Sequence, residues 1–201
     1  MKKLPLIKLT INPEDGSFVS AISLVQNPAV ESSFIAFSKQ GKITFATNDE
    51  RMELLGVAMK ADTPIYRNSP ETGEYACIFD ADTVRKIAQD FAKQGFFQNL
   101  NIEHSDKSAK SFIYQSFIVD SSRNIFPPKG IEANDNDWII GVKVIDPQIW
   151  SEIKSGEPSQ GFSIEGVFKM IDTHTTINLS KKSDLDDAID DLVNAVNTLI
   201  S

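Results

Sequence analysis

Two histidines and a single cysteine stand among the 201 residues, so the groups able to carry a proton near neutral pH can be weighed one at a time. An imidazole has the ordinary pKa that suits a general base at cellular pH. His104 lies in Asn101-Ile102-Glu103-His104-Ser105, at the end of a short β-rich run, and His174 lies in the polar stretch Asp172-Thr173-His174-Thr175. A serine of interest stands in Gly161-Phe162-Ser163-Ile164-Glu165-Gly166. Glycines at its ends let backbone approach a substrate closely, or let a strand pack tightly against a neighbour. The segment is not the Gly-x-Ser-x-Gly nucleophile elbow, because Glu165 occupies the position two residues after the serine and a strand pattern continues through Phe168. Over 161–171 the alternation predicts a strand with Ser163 and Glu165 on one face and Phe162 and Ile164 on the other.

Other chemistries lack their signatures. Zinc wants three or four His, Cys or carboxylate ligands, and neither His-Glu-x-x-His nor a cysteine pair occurs. No glycine-rich phosphate cradle is present, so neither a metal nor a nucleotide cofactor is expected. A formal charge of −8 opposes nucleic acid as a partner, since phosphate binding needs clustered Lys and Arg. Hydrophobic residues at 41% and charged residues at 24% describe an ordinary globular chain, without a membrane span. After Met1-Lys2-Lys3, the stretch Leu4–Ile11 is interrupted by Lys8 and Thr10 and does not read as an export signal. Cys77 alone forms no internal disulfide, which fits a reducing cytoplasm.

The elements that must position these groups follow from periodicity. Leu4–Ile11 and Phe18–Val25 are β-rich runs around Asn12-Pro13-Glu14-Asp15-Gly16, which predicts a hairpin. Asn27-Pro28 breaks the chain before short runs at Phe34–Ser38 and Lys42–Thr47, and Met52–Lys60 adds a further strand. Asp80 to Thr83 cap a helix whose Val84, Ile87, Ala88 and Phe91 recur at helical spacing until Gly95. Leu100–Glu103, Phe112–Val119 and Trp138–Ile145 have strand composition, with a polar loop over 124–136 as the mobile candidate. Asp146-Pro147 opens a short helix presenting Ile149, Trp150 and Ile153, and Ser183–Ile200 is an amphipathic helix with an acidic start. One domain over 1–180 with a C-terminal helix over 181–201 is the expected organisation.

Taken in chain order, several segments resemble one family. Val25-Gln26-Asn27-Pro28-Ala29-Val30, Asn101-Ile102-Glu103-His104-Ser105, Trp138 to Val144, Ile149-Trp150, Lys154-Ser155-Gly156 and Gly161 to Gly166 look like the phage serine proteases related to prohead proteases. The resemblance covers roughly residues 20–170. It implies an α+β fold like that of herpesvirus assemblins, with a mostly antiparallel β-barrel core and surrounding helices. It also implies that Ser163 attacks a peptide carbonyl with His104 as base. Related families fill the third role with a carboxylate or a second histidine. Glu165 ranks first there, ahead of Asp172 and His174, and Glu103 beside His104 stays open. The implied partners are capsid and scaffold proteins as substrates, with the chain itself as a further substrate, inside an assembling prohead in the host cytoplasm. A homo-oligomer also fits. The competing reading is an assembly or scaffold protein that keeps such a fold without hydrolysing anything.

Overall fold

Eleven strands and two α-helices form among the described residues, which in this computed structural model are 3–25, 35–37, 51–70, 72–155 and 161–178. In chain order they are β1 (Lys3–Thr10), β2 (Val19–Val25), β3 (Ile35–Phe37), β4 (Glu53–Met59), β5 (Ile65–Ser69) and β6 (Gly73–Ile78). Then come α1 (Ala81–Lys93), β7 (Leu100–Ile102), β8 (Ser111–Ile118), β9 (Trp138–Val144), α2 (Pro147–Ser155), β10 (Gly161–Gly166) and β11 (Lys169–Asn178). The Asn27-Pro28 segment, the Lys42–Thr47 run and the C-terminal helix expected over 181–201 lie outside the described residues.

The strands make three sheets, ordered β11-β1-β6-β5, β10-β2-β7 and β3-β4-β9-β8. The class is α+β and mostly strand, as expected. Two features differ from the expected barrel: β1 pairs with β6 and β2 with β7 in parallel, and among the described residues the sheets stay open. Alternation tells that a segment is a strand, whereas closure requires every edge to find a partner at a consistent stagger, which no local pattern encodes.

The expected hairpin of β1 and β2 does not form, because the two strands join different sheets. The turn residues between them behave as their chemistry requires. The Asn12 side chain accepts from the Glu14 amide at 3.3 Å, and Gly16 takes φ +83°. They fix a change of direction, while burial of both strands selects partners elsewhere. An antiparallel hairpin forms instead between β5 and β6.

The core explains why the site strands stay put. Asp80 caps α1 by accepting from the Thr83 amide at 3.0 Å, and Val84, Ile87 and Phe91 are buried, with the Phe91 ring 5.6 Å from that of Trp138. Asp146 accepts from the Gln148 amide at 2.8 Å at the start of α2, whose Ile149, Trp150 and Ile153 are buried. Ile22 and Leu24 of β2, Leu100 and Ile102 of β7 and Phe162 of β10 enter the same cluster. Each such side chain contributes about 1.5–3 kcal/mol on burial, so the apolar face of this three-stranded sheet is anchored. The polar loop expected to be mobile is tethered by Asp137, whose carboxylate oxygens accept from the Ala61 and Asn134 amides, both at 2.8 Å.

Candidate active site

The sheet β10-β2-β7 has one apolar and one polar face, and the polar face gathers the chemistry. Ser163 lies opposite Ser23 in the antiparallel β10/β2 pair, and Ser23 lies opposite Asn101 in the parallel β2/β7 pair. Residues directly opposite one another share a face, so Asn101, Ser23 and Ser163 form a row across three strands. Glu165, two residues beyond Ser163, lies on the same side. His104 follows β7 by two residues and turns back toward the row.

Hydrogen bonds join four of these groups. Glu165 Oε1 accepts from Asn101 Nδ2 at 2.5 Å and from the Ser23 hydroxyl, and it lies 3.1 Å from His104 Nδ1. Ser23 Oγ is 2.6 Å from Asn101 Oδ1 and 3.0 Å from His104 Nδ1. Counting protons assigns the tautomer. The single Ser23 proton goes to Asn101 Oδ1 or Glu165 Oε1, both acceptors, so His104 Nδ1 must be the donor toward Ser23 Oγ and Glu165 Oε1. Neutral His104 then keeps its lone pair on Nε2, the nitrogen available as a base. Burial works against charge on Glu165, but hydrogen bonds from Ser23, Asn101 and His104 outweigh it and hold the carboxyl below its ordinary range. Glu165 is therefore ionised at neutral pH, fit to orient an imidazole and to stabilise its cation.

Backbone strain marks the same place. Glu103 and His104 both adopt φ +52°, left-handed values that successive non-glycine residues rarely take. The turn is held by the Glu103 amide donating to Leu24 O at 3.0 Å and by the Ser105 amide and hydroxyl donating to Ile102 O at 3.1 and 2.6 Å. It aims the imidazole at the polar row while leaving the side chain 45% exposed.

The two serines differ in access. Ser23 is fully buried. Ser163 is half-buried on an edge strand and forms part of the wall of a cavity of about 250 Å³ beside β10. Among the described residues the hydroxyl bonded to His104 is that of Ser23, and no hydrogen bond links Ser163 to the imidazole. The structure thus brings His104 and Glu165 together, with Ser163 one strand position from Ser23. Asp172 and His174 lie elsewhere, exposed on β11 and interacting with each other: the His174 amide donates to Asp172 Oδ1 at 2.8 Å. Ser23 and Asn101 were missed in the sequence. Each is a polar residue between apolar neighbours in a strand, Ile22/Leu24 and Leu100/Ile102, and that interruption was the available signal.

The glycines flanking the serine had two readings, and Gly166 follows the packing one. A Cβ there would stand 2.4 Å from Phe18 O and 2.9 Å from Val19 Cα, where the β10/β2 register shifts. Its bareness serves contact with β2.

A mixed α+β protein with a serine, an imidazole and a carboxylate gathered at one sheet face is what fold and geometry define together. The family model described as "Putative phage serine protease XkdF" matches residues 43–172, well over half of the chain, and the protein belongs to that family. The matched span contains Asn101, His104, Ser163 and Glu165; Ser23 lies before it. No curated protein and no solved structure matches the chain.

Proposed function

We propose that the protein is a serine endopeptidase that trims scaffold and capsid proteins, and its own chain, during phage prohead maturation. Ser163 Oγ attacks the scissile carbonyl while His104 Nε2 accepts its proton; the imidazolium returns that proton to the leaving amine. Water then attacks the acyl-enzyme, again deprotonated by Nε2, and Ser163 is restored with release of the carboxylic acid. Glu165 holds Nδ1–H and stabilises the cation formed in each step. The carrying observation is the Glu165 contact to His104 Nδ1 at 3.1 Å, on the strand face that also bears Ser163.

Ser163 rather than Ser23 is the nucleophile in this reading because acyl transfer needs a carbonyl to reach the hydroxyl, and Ser23 is fully buried. Opposed residues on paired strands have Cβ atoms about 4.5–5.5 Å apart, so Ser163 stands one strand spacing from the hydroxyl that the imidazole contacts. Catalytic hydrogen bonds often tighten only with substrate bound. One observation favours the second reading, a silent assembly protein of protease-like fold: the imidazole is bonded to Ser23 and not to Ser163. Co-expression with the capsid and scaffold proteins of the same phage separates the two. Processing by the wild type and its loss in Ser163→Ala supports the enzyme, whereas intact partners with both, or processing by both, refutes it.

A further inference from the structure

Glu165 meets its imidazole from across a strand. It projects from β10, His104 follows β7, and β2 runs between them, so the two backbones stand roughly 9–10 Å apart, two strand spacings. A glutamate side chain has several rotatable bonds, and this one is 28% exposed, so water competes for its carboxylate. Asn101 supplies the hold. Its Nδ2 donates at 2.5 Å to Glu165 Oε1, the oxygen that also lies 3.1 Å from His104 Nδ1. Asn101 and His104 belong to one short segment, and two N–H groups from it thus converge on one oxygen from β10.

The amide serves in one orientation only. An ionised carboxylate accepts and does not donate, so the Asn101 atom facing Glu165 is Nδ2, which turns Oδ1 to the Ser23 hydroxyl 2.6 Å away. A flipped amide would set oxygen against oxygen at Glu165. The segment under Asn101 is held on both sides: Leu100 and Ile102 are buried, Asn101 lies opposite Ser23 in the β2/β7 pair, and it bridges Ser108 on the other side. The Ile102 amide donates to Lys107 O at 3.0 Å and the Ala109 amide to Leu100 O at 2.9 Å, which closes the loop that carries His104. Asn101 therefore ties Glu165 to the position of this loop.

We propose that Asn101 is a positioning residue, holding the Glu165 carboxylate toward β7 so that it meets His104 Nδ1. Its catalytic consequence rests on the hydrolase reading, and the test separates the two. Full-length wild type, Asn101→Ala and Asn101→Asp are compared; the first change removes the donor, the second keeps the shape and sets a carboxyl against Glu165. The Glu165 carboxyl is titrated by carbon-13 NMR, its signal assigned by its absence from Glu165→Gln. Burial raises this group and hydrogen bonds from Ser23, Asn101 and His104 lower it, so loss of one donor moves its midpoint up. In Asn101→Asp the two carboxyls share a proton, and the upper midpoint of the pair rises further. A rise of at least about one pH unit, roughly a tenfold change, is expected in both. On a fluorogenic peptide, kcat of Asn101→Ala should fall about tenfold or more while KM stays within about twofold. A folded variant that titrates as wild type does, or a loss confined to KM, overturns the proposal; so does failure of both variants to fold, which leaves Asn101 a structural role alone. If the wild type cleaves nothing, the hydrolase reading falls, and the titration by itself upholds or overturns Asn101 as the group that holds Glu165.

Discussion

Replacing Glu165 with Gln keeps the shape of the side chain and removes its charge, which isolates the electrostatic part of its role. At 3.1 Å, an imidazolium and a carboxylate interact by about 5 kcal/mol at an effective dielectric near 20. The pair is partly in water, with His104 45% and Glu165 28% exposed, and screening leaves about 2–3 kcal/mol. This stabilisation exists mainly once the imidazole is protonated, in the transition state, so the loss falls on kcat rather than KM. At about 1.4 kcal/mol per factor of ten, kcat should drop roughly 30- to 150-fold. Steady-state hydrolysis of a fluorogenic peptide measures it, with near-UV circular dichroism to show that the fold persists. Asp172→Asn and His174→Gln should stay near wild type. A folded Glu165→Gln enzyme within about threefold of wild type in kcat would refute the reasoning, as would a loss confined to the β11 variants.

Three further outcomes follow from the same geometry. Ser23→Ala deletes a buried hydroxyl that contacts Asn101, His104 and Glu165, so it should lower stability by about 1–3 kcal/mol in urea unfolding and reduce kcat without abolishing it; complete loss with the fold intact would make Ser23 the better nucleophile. The depressed Glu165 carboxyl stabilises the folded state fully above its ordinary value of 4.5, and that share is lost as pH falls through the lowered folded value. Thermal midpoints of wild type and Glu165→Gln should therefore converge in acid, and a gap that does not depend on pH would contradict this. Gly166→Ala forces a methyl toward Phe18 O and Val19 Cα and should cost roughly 1–3 kcal/mol, read as a lower unfolding midpoint; an unchanged midpoint would show that β2 yields freely.

Local periodicity revealed what is local in this site. Alternation through Gly161–Gly166 places Ser163 and Glu165 on one face, and the structure keeps them there. It also delimits α1 and α2 through their caps, since Asp80 and Asp146 act within three residues of themselves. The Ser23–Asn101 bond spans 78 residues and depends on the parallel register of β2 with β7, which neither strand carries in its own pattern. For the same reason the turn at Asn12–Gly16 suggested a hairpin: turn chemistry specifies the bend, while long-range burial specifies the partner. Which strands come to lie at the margin of a sheet is likewise a property of the assembled fold rather than of any one strand. The positive φ at Glu103 and His104 had little sequence signal, because neither residue is a glycine, for which such a conformation carries no steric cost.

The most direct test is to treat the protein with a fluorophosphonate, which reacts with activated serines, and to locate the adduct by peptide mass spectrometry. A phosphonylated Ser163 in the wild type, absent in His104→Ala, is the predicted result. An adduct on Ser23, or no adduct on the folded wild-type chain, would contradict it.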